Sequence, residues 1–314
     1  MIKSVTVTNF LNESIRLELS NPYENGIAIQ DISGIGPAKA NINTTELAVS
    51  DGSIFNSARV TSRNIVFDLM LLPDPDTKLV EDTRQRTYKY FPLKKMLTLT
   101  FETDNRVAEI QGYVESNEPD IFQQEETAQI SIVCPSPYFY SNDQMIVLNG
   151  VESQFYFPFS NESLTEELLY FGEIIESVSL GYDYEGDVDS GMIFHIHTIG
   201  EVHNVSLYNA VTRERMDINT GIIGSITKDG ENHLIAGDDV YLSTVSGDRY
   251  IYLVRSGKQY NILPAIPKMT DYSTNAHADW IRMVKGSNVF GYLAEYGKSN
   301  ATIEIYTNIL YEGV

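Results

Sequence analysis

Few residues in this sequence combine type and spacing in a way that suggests chemistry. The single cysteine, Cys134, lies in the stretch ISIVCPSPYFYS, and the histidines are His195, His197, His203, His233 and His277. A thiol nucleophile needs a histidine base, and all five histidines lie far downstream of Cys134. An inward cysteine on an alternating strand reads instead as buried, inert packing. His195 and His197 in FHIHT point to one strand face, as zinc ligands do. A third ligand, His203 or a carboxylate, would have to come from elsewhere, and no H-E-x-x-H frame is present. The expectation is two histidines on the outer face of a strand, with no metal, cofactor or catalytic site.

Three further stretches invite chemistry and have simpler accounts. YDYEGDVDSG sets Asp183, Glu185, Asp187 and Asp189 at alternate positions, which suits calcium, but its glycine is misplaced for an EF-hand loop and no closing glutamate follows. An acidic turn between strands explains it. SGIGPAKANI carries glycines that could cradle a phosphate, yet Pro37 removes a backbone donor and no helix opens there. It reads as a turn before an extended loop. Trp280, with Tyr292 and Tyr296 downstream, could stack on a sugar ring or could simply be core aromatics. No carboxylate pair at a glycosidase-like position stands out.

The elements that would position these residues are mostly strands. SVTVTNF, IRLELS, RNIVFDLMLL, KMLTLTFET, AEIQGYV and AQISIVC alternate or run briefly apolar between Asn, Asp, Gly and Pro clusters. DTKLVEDTRQRTYKYF breaks the pattern: Leu79, Val80, Thr83, Thr87, Tyr90 and Phe91 recur at helical spacing. This predicts one helix at about 77–91, capped by Asp76 and stopped by Pro92. Its outer face carries Arg84, Arg86 and Lys89, with Lys94 and Lys95 beyond, and is either a solvated face or a contact with an acidic neighbour. After Pro137 come QMIVLN, QFYFPF, IIESVSLG, GMIFHIH, VHNVSLYNA, GDDVYLSTV, DRYIYLVR, NVFGYLAEY and ATIEIYTNILYEGV, the profile of a β-sandwich. The two prolines of CPSPYFYS mark the boundary, giving domains 1–137 and 138–314.

Composition narrows the function classes. The 314 residues suit two domains, and 42% hydrophobic with 21% charged residues suits a folded chain. One cysteine excludes an internal disulfide and a cysteine-rich zinc site. The start, MIKSVTVTNFLNES, has no apolar core for a signal peptide, and no apolar run approaches the roughly 18 residues of a spanning helix. There are 22 basic against 43 acidic residues, a net charge of −21. The part up to Pro137 carries 12 basic and 19 acidic residues, a net −7, and the remainder 10 and 24, a net −14. Neither part has the basic face that nucleic-acid binding requires.

In order along the chain, GIGPAKANI, RNIVFDLMLL, TYKYFPLKKMLTLTF, ISIVCPSPYFYS, GDVDSGMIFHIH, VSLYNAVTRERMDIN, IAGDDVYLST and GSNVFGYLAEYGKSNATIEIYTNILYEGV resemble the distal tail protein (Dit) family of siphophages. The resemblance runs over nearly the full length. It implies a mainly β fold: an N-terminal β-sandwich ring (belt) domain with one α-helix, then a C-terminal galectin-like β-sandwich. It further implies a structural, non-enzymatic hub at the virion tail tip, made in the host cytoplasm. Six copies would form a ring, single or paired, around a channel for DNA. Expected partners are the tail tube protein, the tail-associated fibre or lysin protein, and receptor-binding or baseplate proteins; specific nucleic-acid binding and membrane contact are not expected. Arg84, Arg86, Lys89, Lys94 and Lys95 become candidates for the contact between subunits. The alternative is a host-surface carbohydrate-binding module using Trp280, Tyr292 and Tyr296.

Overall fold

The computed structural model describes residues 1–47, 51–122, 125–141, 144–148, 179–270 and 276–314, with the backbone of 151–152 and 173–174. The expected strand QFYFPF and part of IIESVSLG lie outside the described residues. The chain divides into two compact units, one comprising Met1–Asn142 with Leu310–Val314 and the other Asp143–Ile309. No helix among the described residues is long and apolar enough to cross a membrane.

The first unit is built from β1 (Ile2–Thr8), β2 (Ser14–Glu18), β3 (Ile27–Ser33), β4 (Ala40–Glu46), β5 (Ser53–Val60), β6 (Arg63–Leu71), α1 (Val80–Tyr90), β7 (Met96–Thr103), β8 (Val107–Asp120), β9 (Thr127–Cys134) and β10 (Phe139–Tyr140). One antiparallel sheet runs β2-β1-β7-β8-β9-β6-β3. Period-two patterning determines which side is buried: Ile65, Phe67, Leu69 and Leu71 of β6 face inward, as do Ala128, Ile130, Ile132 and Cys134 of β9. The register of β8 against β9 shifts between Val114 and Ser116, a bulge in the ladder.

The helix begins later than its pattern predicts, and Asp76 does not cap it. Asp74 Oδ1 instead accepts from the backbone N–H groups of Asp76 and Thr77, at 2.9 and 3.1 Å. Lys78 then takes a left-handed φ of 62°, which delays helical geometry until Val80. Burial also differs from the pattern: Thr83 and Thr87 are fully buried, whereas Leu79 is exposed.

The second unit contains β11 (Gln144–Leu148), β12 (Val151–Glu152), β13 (Glu173–Ile174), β14 (Ser179–Tyr184), β15 (Met192–Thr198), β16 (His203–Asn209), β17 (Glu214–Ile218), α2 (Ile223–Thr227), β18 (Asp239–Ser243), β19 (Tyr250–Arg255), β20 (Lys258–Asn261), β21 (Gly286–Tyr296) and β22 (Ala301–Thr307). A six-stranded sheet β11-β22-β15-β18-β19-β20 packs on a four-stranded sheet β14-β21-β16-β17. Phe194, Ile196, Leu242, Leu253, Ile303 and Ile305 from the first sheet share a core with Leu207, Met216, Phe290 and Tyr292 from the second. The final strand, β23 (Leu310–Tyr311), leaves this unit and pairs with β10, Phe139 opposite Tyr311. The division observed after Asn142 therefore lies beyond Pro137, because Phe139 and Tyr140 still pair within the first unit.

Candidate functional site

The stretch SGIGPAKANI is not followed by a loop. Residues 40–46 form β4, paired with β5 from Ala40 opposite Val60 to Glu46 opposite Ser53. Among the described residues this two-stranded ribbon pairs with no other strand, and each of its strand residues is exposed. The register places Ala40, Ile42, Thr44, Phe55, Ala58 and Val60 on one face, and Asn41, Asn43, Thr45, Ser57 and Arg59 with Ile54 on the other. Ile42 is 60% and Phe55 62% exposed. The ribbon is thus amphipathic with its apolar face uncovered, and an isolated hairpin is marginal in water.

Arg63 anchors the base of this ribbon. The side chain is buried and, among the described residues, its guanidinium donates to the carbonyls of Gly34, Gly36, Pro137 and Glu312 at 2.5–2.7 Å. It also lies 4.6 Å from the ring centroid of Phe139. Gly34 cannot be replaced here: its φ is +82°, and a Cβ would sit 2.0 Å from the carbonyl oxygen of Asn64. Cys134, opposite Arg63 in the ladder, is fully buried. Burial pushes its thiol up to about 11, against a smaller opposing effect of Arg63. Such a thiol is a packing group, not a nucleophile.

The basic residues around the helix are partly engaged within the chain. Arg84 pairs with Glu126 at 3.0 Å, and Arg86 pairs with Asp74 and donates to the Asn25 carbonyl at 2.6 Å. Lys89 meets Glu13 at 3.0 Å and is half exposed. Lys94 and Lys95 are exposed, the latter 5.2 Å from the Phe10 ring centroid. The structure therefore does not bring the five cations together as one open patch.

In the second unit, Trp280, Tyr292 and Tyr296 do not converge. Tyr292 is fully buried, its hydroxyl donating to the Lys298 carbonyl, so it offers no ring face to a sugar. Tyr296 packs edge-on against His203, ring centroids 5.7 Å apart. Trp280 lines an open apolar pocket of about 500 Å³ with Leu263, Pro264, Ile266, Pro267 and Ala278. Arg249 lies 4.8 Å from the indole.

His195 and His197 do share an outer strand face, where carboxylates hold them. His195 bonds Glu304 through Nδ1 at 2.9 Å and Asp239 through Nε2 at 2.8 Å, and His197 Nδ1 meets the same Asp239 oxygen at 2.8 Å. Tyr241 stacks on His195 at 4.4 Å. Hydrogen bonds from Tyr306 and then His195 hold the Glu304 carboxyl below its ordinary range, and Tyr306 is pushed up to about 12 by that bond. Burial raises Asp239, but the bonds from His197 and His195 outweigh it and hold this carboxyl low. Of the acidic stretch, Asp183 lies within β14, and Asp187 and Asp189 meet Lys285 and Arg282 at 3.2 and 3.3 Å.

Sequence reasoning missed a different cluster, Glu201, His203 and His233. Its members come from the start of β16 and from the segment before β18, and no local motif joins them. Their alternation with buried Val202 and Leu234 is the only signal.

No protein-family model and no curated protein matches this chain. Solved structures do. The Dit protein of phage SPP1, described as a paradigm of the hub adsorption apparatus in phages infecting Gram-positive hosts, aligns with a TM-score of 0.61 at 10% identity, over 96% of this chain and 98% of that one. The phage P2 baseplate in its activated conformation with Ca aligns over 100% of both chains at 11% identity, and the Sr form over 97% of both at 11%. Their TM-scores, 0.47 and 0.43, are too low to carry an argument. The chain thus shares the fold of SPP1 Dit over nearly its whole length, and with it a mainly β architecture.

Proposed function

We propose that this Dit-fold chain is a structural subunit of a phage tail tip, present in the virion. Copies assemble into a six-membered ring around a channel that passes DNA. The tail tube docks on one side, the tail-associated fibre or lysin protein on the other, and receptor-binding proteins at the periphery. The observation that carries this reading is the likeness to SPP1 Dit through both units. The uncovered apolar face of the β4–β5 ribbon supports self-association, since a second copy of the chain supplies the cover that the ribbon lacks. The net charge of −21 suits a lumen that must not retain DNA. In this role the chain contributes no reaction of its own; Cys134 has no base, and His195 has both ring nitrogens on carboxylates.

Light scattering after size exclusion, with negative-stain images, tests the proposal. Rings of six are expected, alone or stacked in pairs. A strict monomer at high concentration that also fails to incorporate into tails would overturn it.

A carbohydrate-binding reading rests on Trp280 and its apolar pocket alone. Among the described residues Lys268 lines the pocket and Arg249 lies over the indole, and the rest of the lining is apolar, so few polar groups are available for sugar hydroxyls. Glycan-array binding that disappears in Trp280→Ala would favour this reading.

A further inference from the structure

We propose that Glu201, His203 and His233 form a binding site for a borderline divalent metal ion of the zinc type. One ligand atom from each lies within 4.8 Å of the others. In a tetrahedral site with bonds of 2.0–2.2 Å, ligand atoms sit about 3.4 Å apart, so side-chain rotation alone closes the set. Two imidazoles and a carboxylate form the donor set that such an ion prefers over calcium or magnesium.

The backbone holds these three residues in place. Val202 and Leu234 exchange both backbone hydrogen bonds at 3.0 Å, and both side chains are fully buried. Their sequence neighbours Glu201, His203 and His233 therefore point outward together. Each side of this bridge has its own brace. The Glu201 carbonyl accepts from Asn300 Nδ2 at 3.0 Å and lies so near Gly297 that a Cβ there would sit 1.8 Å away. On the other side, buried Arg255 donates to the His233 carbonyl at 2.8 Å while its guanidinium forks onto Asp238 and reaches Asp229. The rings of His203 and His233 stack at 5.0 Å, 16° from parallel, with Tyr296 edge-on to His203.

His203 Nε2 lies 2.6 Å from Glu201 Oε1. Glu231, whose Oε2 is 3.5 Å from His233 Nε2, is placed to supply a fourth donor. The other histidine pair is a poorer candidate, because His195 already has both nitrogens on carboxylates and a stacked tyrosine over its ring. A bound ion would clip the start of β16 to the 228–238 segment.

The test uses untagged full-length protein titrated with Co²⁺ as a visible reporter, then with Zn²⁺ in competition. One Co²⁺ per chain is expected, displaced by Zn²⁺, with a rise in melting temperature. His233→Ala and the volume-preserving Glu201→Gln, each with an unchanged far-UV spectrum, should weaken binding at least about tenfold, whereas His195→Ala should bind as the parent does. Absence of saturable binding up to about 1 mM metal, a range weaker than any specific site of this type, would overturn the proposal. So would undiminished affinity in both His203→Ala and His233→Ala, or a loss confined to His195→Ala.

Discussion

At the scale of single residues, the most consequential is Arg63. It is buried, and its partners are carbonyls, so removing it leaves the acceptors of Gly34, Gly36, Pro137 and Glu312 without their donor. Arg63→Ala should cost about 3 kcal/mol in urea unfolding followed through the first unit. Arg63→Lys should recover little, because one ammonium cannot replace a planar guanidinium that reaches four carbonyls. The Glu304 and Asp239 carboxylates give an acid-side prediction. Both titrate lower in the folded chain than in the unfolded one, so their contribution is complete above the ordinary carboxylate range and disappears as pH falls through their lowered values. Melting temperature should therefore fall as pH drops below about 4.5. Glu304→Gln should melt below the parent at pH 7 and converge with it near pH 3, which thermal melts across the pH series would show.

At the scale of elements, α1 shows how much packing the sequence pattern concealed. Thr83 and Thr87 are both fully buried, but Thr87 Oγ1 donates to the Arg84 carbonyl at 2.8 Å and accepts from Asn117 Nδ2 at 3.3 Å, whereas Thr83 Oγ1 has no hydrogen-bond partner among the described residues. Thr83→Val should stabilise by about 1 kcal/mol, and Thr87→Val should destabilise by a similar amount, as read from chemical denaturation. The β4–β5 ribbon makes a complementary prediction. Ile42→Asn with Phe55→Asn should leave monomer stability within about 0.5 kcal/mol, because both side chains are already in water. The same double variant should abolish rings in light scattering. Strands such as β6 and β9 were legible because one face is buried and the alternation is clean. The ribbon was not, because neither face of AKANINTTE is buried within the chain, and its glycine-proline opening reads as a loop. Helical spacing located α1 but not its start, which an Asx turn at Asp74 decides. The Glu201–His203–His233 cluster depends on a two-residue bridge between segments thirty residues apart in sequence, and no periodicity encodes that.

At the scale of the whole molecule, charge and topology dominate. Each copy carries a net −21, so closing the proposed ring would gather like charges that salt must screen. Ring fraction in light scattering should therefore rise as NaCl increases from about 50 to about 300 mM, the direction opposite to that of a salt-bridged interface. The topology has a consequence of another kind. The first unit is completed by Leu310–Val314, with Tyr311 opposite Phe139, the Val314 N–H on the Ile35 carbonyl at 3.2 Å, and the Glu312 carbonyl on Arg63. During synthesis these residues leave the ribosome only after the whole second unit has been made. The anchorage beneath the sticky ribbon is therefore the last part of the first unit to close. A nascent chain stalled anywhere before Leu310 holds Arg63 by three of its four carbonyls, so translation order itself delays full closure of the base of the proposed self-association surface until both units exist.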